Sequence, residues 1–215
     1  MFLTISELIN GFSQVGDVAL SKDNVVWSTP EWSDEFKIEF DVIVDKELPI
    51  DWVNIMHMTT GNDNGLGARI PGVWAHQNKF FYSCFRVNGN DDYCQNYDYQ
   101  LDKLYHFEIS QHKKPSQYYS TGEAIYSITV NGEVIHEIIN TTPMKFQNVK
   151  LYLGNPWYET FAPYGTVSNL KINDLNEPGI IARAFKFKSC PYITNYFEIE
   201  MCFVSNLGWV YFIYK

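Results

Sequence analysis

Three groups of side chains in this sequence have the chemistry to hold an ion or a ligand. The first lies in two short loops rich in carboxylates and amides, Gly61-Asn-Asp-Asn-Gly65 and Asn88-Gly-Asn-Asp-Asp92. Hard cations take their oxygen ligands from such loops. That makes Asp63, Asp91 and Asp92 the candidate metal ligands, and Ca2+ the one cofactor to consider. Neither loop has the alternating acidic positions and closing Glu of an EF-hand. Turns are also rich in Asn, Asp and Gly for conformational reasons of their own. The second group suits a sugar or peptide, because a ring covers an apolar face while amides and carboxylates fix orientation. Asn62, Trp74, His76, Tyr93, Tyr97 and Trp157 are the candidate ligand-binding residues. With 15 Tyr, 15 Phe and 6 Trp in the chain, most rings must nonetheless fill a core.

The third group is the histidines and cysteines. His57, His76, His106, His112 and His136 show none of the spacings that hold zinc. Four cysteines form two local pairs, Cys84 with Cys94 and Cys190 with Cys202, and four cysteines allow three connectivities. Cys84 lies among Phe81, Tyr82 and Phe85, a setting for a disulfide or core thiol rather than for an activated thiolate. If Cys84 and Cys94 face each other, a disulfide staples the segment between them. Asn140-Thr-Thr142 is a glycosylation sequon, which has meaning at Asn140 only in a secreted chain.

The elements that must position these groups are strands. Phe36, Ile38, Phe40, Val42 and Val44 alternate with Lys37, Glu39, Asp41 and Ile43, the period-two pattern of a strand with one wet face. Tyr105–Ile109, Tyr126–Val130 and Val149–Leu153 repeat it. Asn131-Gly132 between Tyr126–Val130 and Glu133–Ile139 is the signature of a type I′ hairpin. Asn88-Gly89 follows a strand over Phe80–Val87, so that Asn90–Asn96 is either a polar loop or a return strand. The first 173 residues lack helical periodicity, and the spacing of strands and turns predicts an all-β, antiparallel two-sheet sandwich.

Residues 1–173 carry 12 Lys/Arg against 21 Asp/Glu, whereas 174–215 carry 4 against 4 and are rich in aromatics. The sequence thus divides into a sandwich over 1–173 and a C-terminal extension over 174–215. A net charge of -9 and a pI near 5.0 repel a phosphate backbone and argue against nucleic acid as a partner. No stretch approaches the roughly 20 apolar residues that cross a bilayer. Residues 1–10 lack the basic start and long apolar run of a secretory signal.

Four segments in order carry a resemblance to a known family. They are Leu104-Tyr-His-Phe-Glu-Ile-Ser110, Tyr126-Ser-Ile-Thr-Val-Asn-Gly-Glu-Val134, Asn148-Val-Lys-Leu-Tyr-Leu-Gly-Asn-Pro-Trp157 and Gly165-Thr-Val-Ser-Asn-Leu-Lys-Ile172. Upstream, Trp32–Val44 and Trp52–Thr60 look like early core strands, and Arg69-Ile-Pro-Gly-Val-Trp74 like a strand-turn-strand passage. Together they resemble the concanavalin A-like superfamily, and within it the laminin G-like domains, over roughly residues 12 to 173. The resemblance implies a jelly roll that binds through rim loops or a sheet face, in an extracellular setting, with carbohydrate or a protein as partner. The same superfamily contains laminarinase-type glucanases, whose strand motif Glu-x-Asp-x-x-Glu supplies nucleophile and general acid. Glu39 and Asp41 fit its start. Position 44, where the final Glu belongs, is Val, and where a form of the motif with one extra residue wants Glu, Asp45 is shorter by one methylene. The expectation is therefore a non-catalytic recognition module, with glycoside hydrolysis by Glu39 and Asp41, or adhesion without a small ligand, as the alternatives.

Overall fold

The structure, a computed structural model, describes residues 12–15, 18–19, 22–48, 51–113, 122–157, 164–175, 200–203 and 210–213. The strands in chain order are β1 (Phe12–Val15), β2 (Val18–Ala19), β3 (Val25–Trp32), β4 (Phe36–Val44), β5 (Trp52–Thr59), β6 (Gly72–His76), β7 (Phe80–Val87) and β8 (Asn90–Asp98). They continue with β9 (Leu104–Lys113), β10 (Ala124–Val130), β11 (Glu133–Asn140), β12 (Phe146–Leu153), β13 (Gly165–Asp174), β14 (Glu200–Phe203) and β15 (Val210–Ile213). Among the described residues there is no α-helix, and none that could cross a membrane.

The chain divides into two units, one of residues 11–177 and the other of residues 1–10 with 178–215. In the second, β14 pairs with β15 in an antiparallel two-stranded sheet. The remainder of the 174–215 extension beyond Leu175, and the Cys190–Cys202 pairing, lie outside the described residues.

The larger unit is a two-sheet antiparallel sandwich, as the alternation predicts. One sheet has the order β1-β13-β4-β9-β10-β11, with β2 also on β13, and the other β3-β12-β5-β6-β7-β8. The chain passes from β3 in the second sheet to β4 in the first and back to β5 in the second, so the two layers are threaded together rather than built in turn. On β4 every second residue from Phe36 to Val44 is buried, and Lys37, Glu39, Asp41 and Ile43 stay half-exposed. Tyr126, Ile128 and Val130 do the same on β10. Between the layers Phe81 meets Phe107 edge-on at 5.1 Å, and Phe85 stacks on Tyr126 at 4.9 Å. Burying one such ring is worth about 1.5–3 kcal/mol, and the core holds many.

The hairpin turn at Asn131-Gly132 has φ of 51° and 81°, the pair of positive values its type requires. Asn88-Gly89 has 53° and 81°. Of the two readings of Asn90–Asn96, the return strand holds: β8 pairs with β7 as the edge of its sheet. The passage at Arg69–Trp74 differs from the expected strand-turn-strand. It is a bend through a cis Ile70–Pro71 bond, with a strand only from Gly72.

Candidate functional site

The site grows out of the second sheet's outward face. Val73, Ala75, Phe81 and Phe85 turn into the core. Alternation then sends Trp74, His76, Tyr82 and Cys84 to the opposite side. Register aligns these residues in rows across the strands. One row is Asn54, Trp74, Tyr82 and Asn96, and another is Trp52, His76, Phe80 and Asp98. A third runs Tyr152, His57, Gly72, Cys84 and Cys94.

That third row has a gap at its centre, because Gly72 has no side chain. The Trp74 ring fills it: a Cβ built on Gly72 would lie 2.3 Å from the ring's Cη2. On one side of the gap the Cys84–Cys94 disulfide joins directly paired residues of β7 and β8. On the other side stands His57.

His57 reaches this face through an irregularity. The register of β5 against β6 shifts between Asn54 and Met56, which puts residues three apart on the same side. Asn54 Nδ2 donates to His57 Nδ1 at 2.8 Å, and His57 Nε2 donates to the Ala68 carbonyl at 2.7 Å. Burial pushes the imidazole pKa down to about 4, against the upward pull of the Ala68 hydrogen bond. The ring is thus neutral, and its proton sits on Nε2. It stands edge-on to both Trp74, at 5.3 Å, and Trp157, at 5.2 Å. Trp157 is brought there by the loop after β12, where Gly154 N donates to the Ile55 carbonyl and Trp157 N to Asn155 Oδ1.

These groups enclose an open cavity of about 330 Å³. Trp52, Trp74, Tyr82 and Trp157 supply its rings, and Asp63, Arg69, Asp92 and Asn155 its polar groups. The Arg69 guanidinium lies 5.7 Å from the Trp74 ring centre and is ion-paired to Asp92. Trp52, 42% exposed, extends the aromatic surface beyond the cavity through contacts with Tyr82, His76 and Phe80. The arrangement has rings to cover apolar sugar faces, and amide, carboxylate and guanidinium groups to orient hydroxyls.

Of the six ligand-binding candidates, the structure brings Trp74 and Trp157 into the cavity and sets His76 beside it, stacked on Phe80 at 4.5 Å. Asn62 is spent on its own loop, its amide donating to the Leu66 carbonyl. Tyr93 and Tyr97 face the other way. They pair with Phe85 and Phe81, which are core-facing, so they turn inward too. The Tyr93 hydroxyl lies 3.0 Å from His136 Nε2, and Tyr97 lines a separate cavity with Lys79 and Lys103.

The three metal candidates do not form one site. Asp91 and Asp92 are neighbours on a strand and are held by different arginines, Arg86 and Arg69. Asp63 lines the cavity. Among the described residues no group of three or more His, Cys, Asp or Glu side chains could hold a metal ion. The glycosylation expectation at Asn140 is corrected. Its side chain is 1% exposed, donating to Gln111 Oε1 and the Arg86 carbonyl and accepting from the Asn88 and Thr142 amides. It ties the end of β11 in one sheet to the β7–β8 turn in the other.

Glu39 and Asp41 lie on the outward face of the first sheet. Lys37 bridges Glu39 and Glu108, at 3.5 and 2.8 Å. Asp41 contacts His106 Nδ1 through one oxygen and accepts from Asn169 through the other, both at 2.6 Å. Partial burial raises its pKa, but the Asn169 and His106 hydrogen bonds outweigh it and hold the carboxyl below its usual range.

Five residues of the cavity escaped the sequence reading: Trp52, His57, Arg69, Tyr82 and Asn155. Tyr82 was open to discovery, since it shares its strand face with Cys84. His57 was hidden by the register shift in β5.

No family model matches the chain, and neither does any curated protein. Solved structures do. The receptor-binding domain of botulinum neurotoxin D is 11% identical, with a TM-score of 0.49 over 80% of this chain and 44% of that one. An alanine variant of HCR/D reaches 0.50 at 11% identity, over 81% and 44%. Trypanosoma rangeli sialidase gives 0.46 at 12% identity, over 75% and 30%. The chain thus spans less than half the length of these proteins, and the likeness concerns the β-sandwich fold.

Proposed function

We propose that residues 11–177 form a concanavalin A-like jelly roll that recognises carbohydrate, without catalysis, through the outward face of its second sheet. The observation that carries this reading is the cavity in which Trp74 and Trp157 stand edge-on to a neutral, hydrogen-bonded His57, beside Asn155, Asp63 and the Arg69–Asp92 pair. Rings held this way present rigid apolar area without loss of rotamer freedom on binding, and the polar rim confers orientation. Trp52 extends the surface, so the ligand is a chain of sugars rather than a single ring.

Binding without chemistry also suits the alternative site. The Glu39 and Asp41 carboxylates are both engaged, one with Lys37 and the other with His106 and Asn169. A carboxyl held low in pKa is ill-suited to donate a proton. The disulfide supports an oxidising, extracellular setting.

The test is a glycan array with the wild-type chain and the Trp74→Ala and Trp157→Ala variants, beside an assay of reducing-sugar release from β-glucans. The expected outcome is retention of a defined set of glycans, a loss of about tenfold or more in affinity in each variant, and no sugar release. Wild-type binding that survives both substitutions, or release abolished by Glu39→Gln, overturns the reading.

A further inference from the structure

The cavity's charges bear on which sugars it admits, and this inference rests on the carbohydrate-binding reading above. Among the residues lining the cavity, two are carboxylates, Asp63 and Asp92, and one is a fixed cation, Arg69. The Arg69 charge already has a partner. Its guanidinium is ion-paired to Asp92 and lies against the Trp74 ring. The other basic group, His57, is held neutral in its present contacts. Its Nδ1 accepts from the Asn54 amide, and protonating that nitrogen requires the amide to turn its oxygen toward the ring. Burial opposes the charge as well, pushing the pKa down to about 4, so the ring is neutral near pH 7. Beyond the cavity the same face carries Asp98 in the row of Trp52 and His76, and the whole chain has a net charge of -9. The cavity's own lining thus carries one more carboxylate than fixed cation.

We propose that the site selects uncharged glycans and turns away those bearing a carboxylate, with Asp92 acting as the internal counter-ion that withholds Arg69. An incoming carboxylate must either displace Asp92 from Arg69, leaving that carboxylate in the cavity without its partner, or lie beside Asp63 and Asp92 with no cation to meet it. Like-charge juxtaposition of this kind is a common source of specificity. Neutral sugars escape both costs. Their hydroxyls can donate to the same carboxylates.

Matched glycan pairs on an array provide the test, each pair differing only in a terminal sialic or uronic acid, with the 215-residue chain as probe at low and moderate salt. The neutral member is expected to bind about tenfold or more tightly, with a gap that narrows as salt screens the field. Equal or tighter binding of the acidic members overturns this inference and leaves carbohydrate recognition standing. Retention of neither member overturns both. Asp92→Asn, with its fold checked by circular dichroism, is expected to release Arg69 and to shrink or invert the preference. An unchanged ratio in that variant removes Asp92 from the role assigned to it.

Discussion

His57 shows how one residue's environment decides its chemistry. From composition it is one histidine of five with no ligand spacing around it. In the fold it is 3% exposed, locked by two hydrogen bonds and wedged between two tryptophans. Its pKa falls from 6.5 to about 4 on folding, so between those values the unfolded chain binds a proton that the folded chain refuses. The stability that this provides is fully present above about pH 6.5, and it is lost as the pH falls toward 4. Its full size is roughly 3 kcal/mol. Urea unfolding at pH 7 and pH 4.5 checks this. The wild type is expected to lose more stability across that interval than His57→Gln does, and an equal loss in both would show that His57 is not titrating in this way. Nothing in the local sequence announces this role, because it depends on a register shift two positions upstream and on a loop some hundred residues away.

The strands differ in how plainly they are written. β4 is legible because one face meets the core and the other meets water, so its alternation is nearly complete. β5 is legible only through its resemblance to a core strand and not by alternation, since from Val53 to Thr59 it is buried on both faces, by the core on one side and by Trp74 and Trp157 on the other. Its sequence reads as an apolar run without period. β8 is obscure for the opposite reason. At the sheet's edge it needs only a few inward residues, and its polar face is continuous enough to pass for a loop. The disulfide adds a covalent link to the hydrogen-bonded pairing of this edge strand with β7, beside the cavity. A cross-link closing so short a loop contributes about 2–3 kcal/mol in the chain-entropy account. The Cys84→Ala, Cys94→Ala double variant is therefore expected to unfold at lower denaturant and to bind glycans more weakly, because the cavity floor gains freedom. Thermal and urea melts, with affinities taken on the same samples, measure both effects, and unchanged affinity would show that the cavity does not depend on the link.

At the scale of the whole molecule, the sandwich and the identity of its inward residues follow from period-two patterns that any half-buried sheet must carry. The proposed binding face does not, because it is assembled from β5, the loop after it, β6, β7, β8 and the loop after β12, and no sequence window contains more than part of it. Trp74 and Trp157 could be chosen as rings near polar residues, but Tyr93 and Tyr97 satisfy the same criterion and point into the interior. Parity relative to the core decides between them, and only pairing reveals it. The same accounting separates the two charged faces. The first sheet's outer side engages its carboxylates with Lys37, His106 and Asn169, whereas the second sheet's outer side keeps open space between its rings.

The central claim is best tested by following tryptophan indole resonances while titrating the labelled chain with a glycan retained on the array. Trp52, Trp74 and Trp157 are expected to shift together with saturable amplitude, while Trp27 and Trp32, packed against each other on β3, stay in place. Shifts confined to residues of the β4 and β9 outer face, with the three cavity indoles unmoved, would contradict the account.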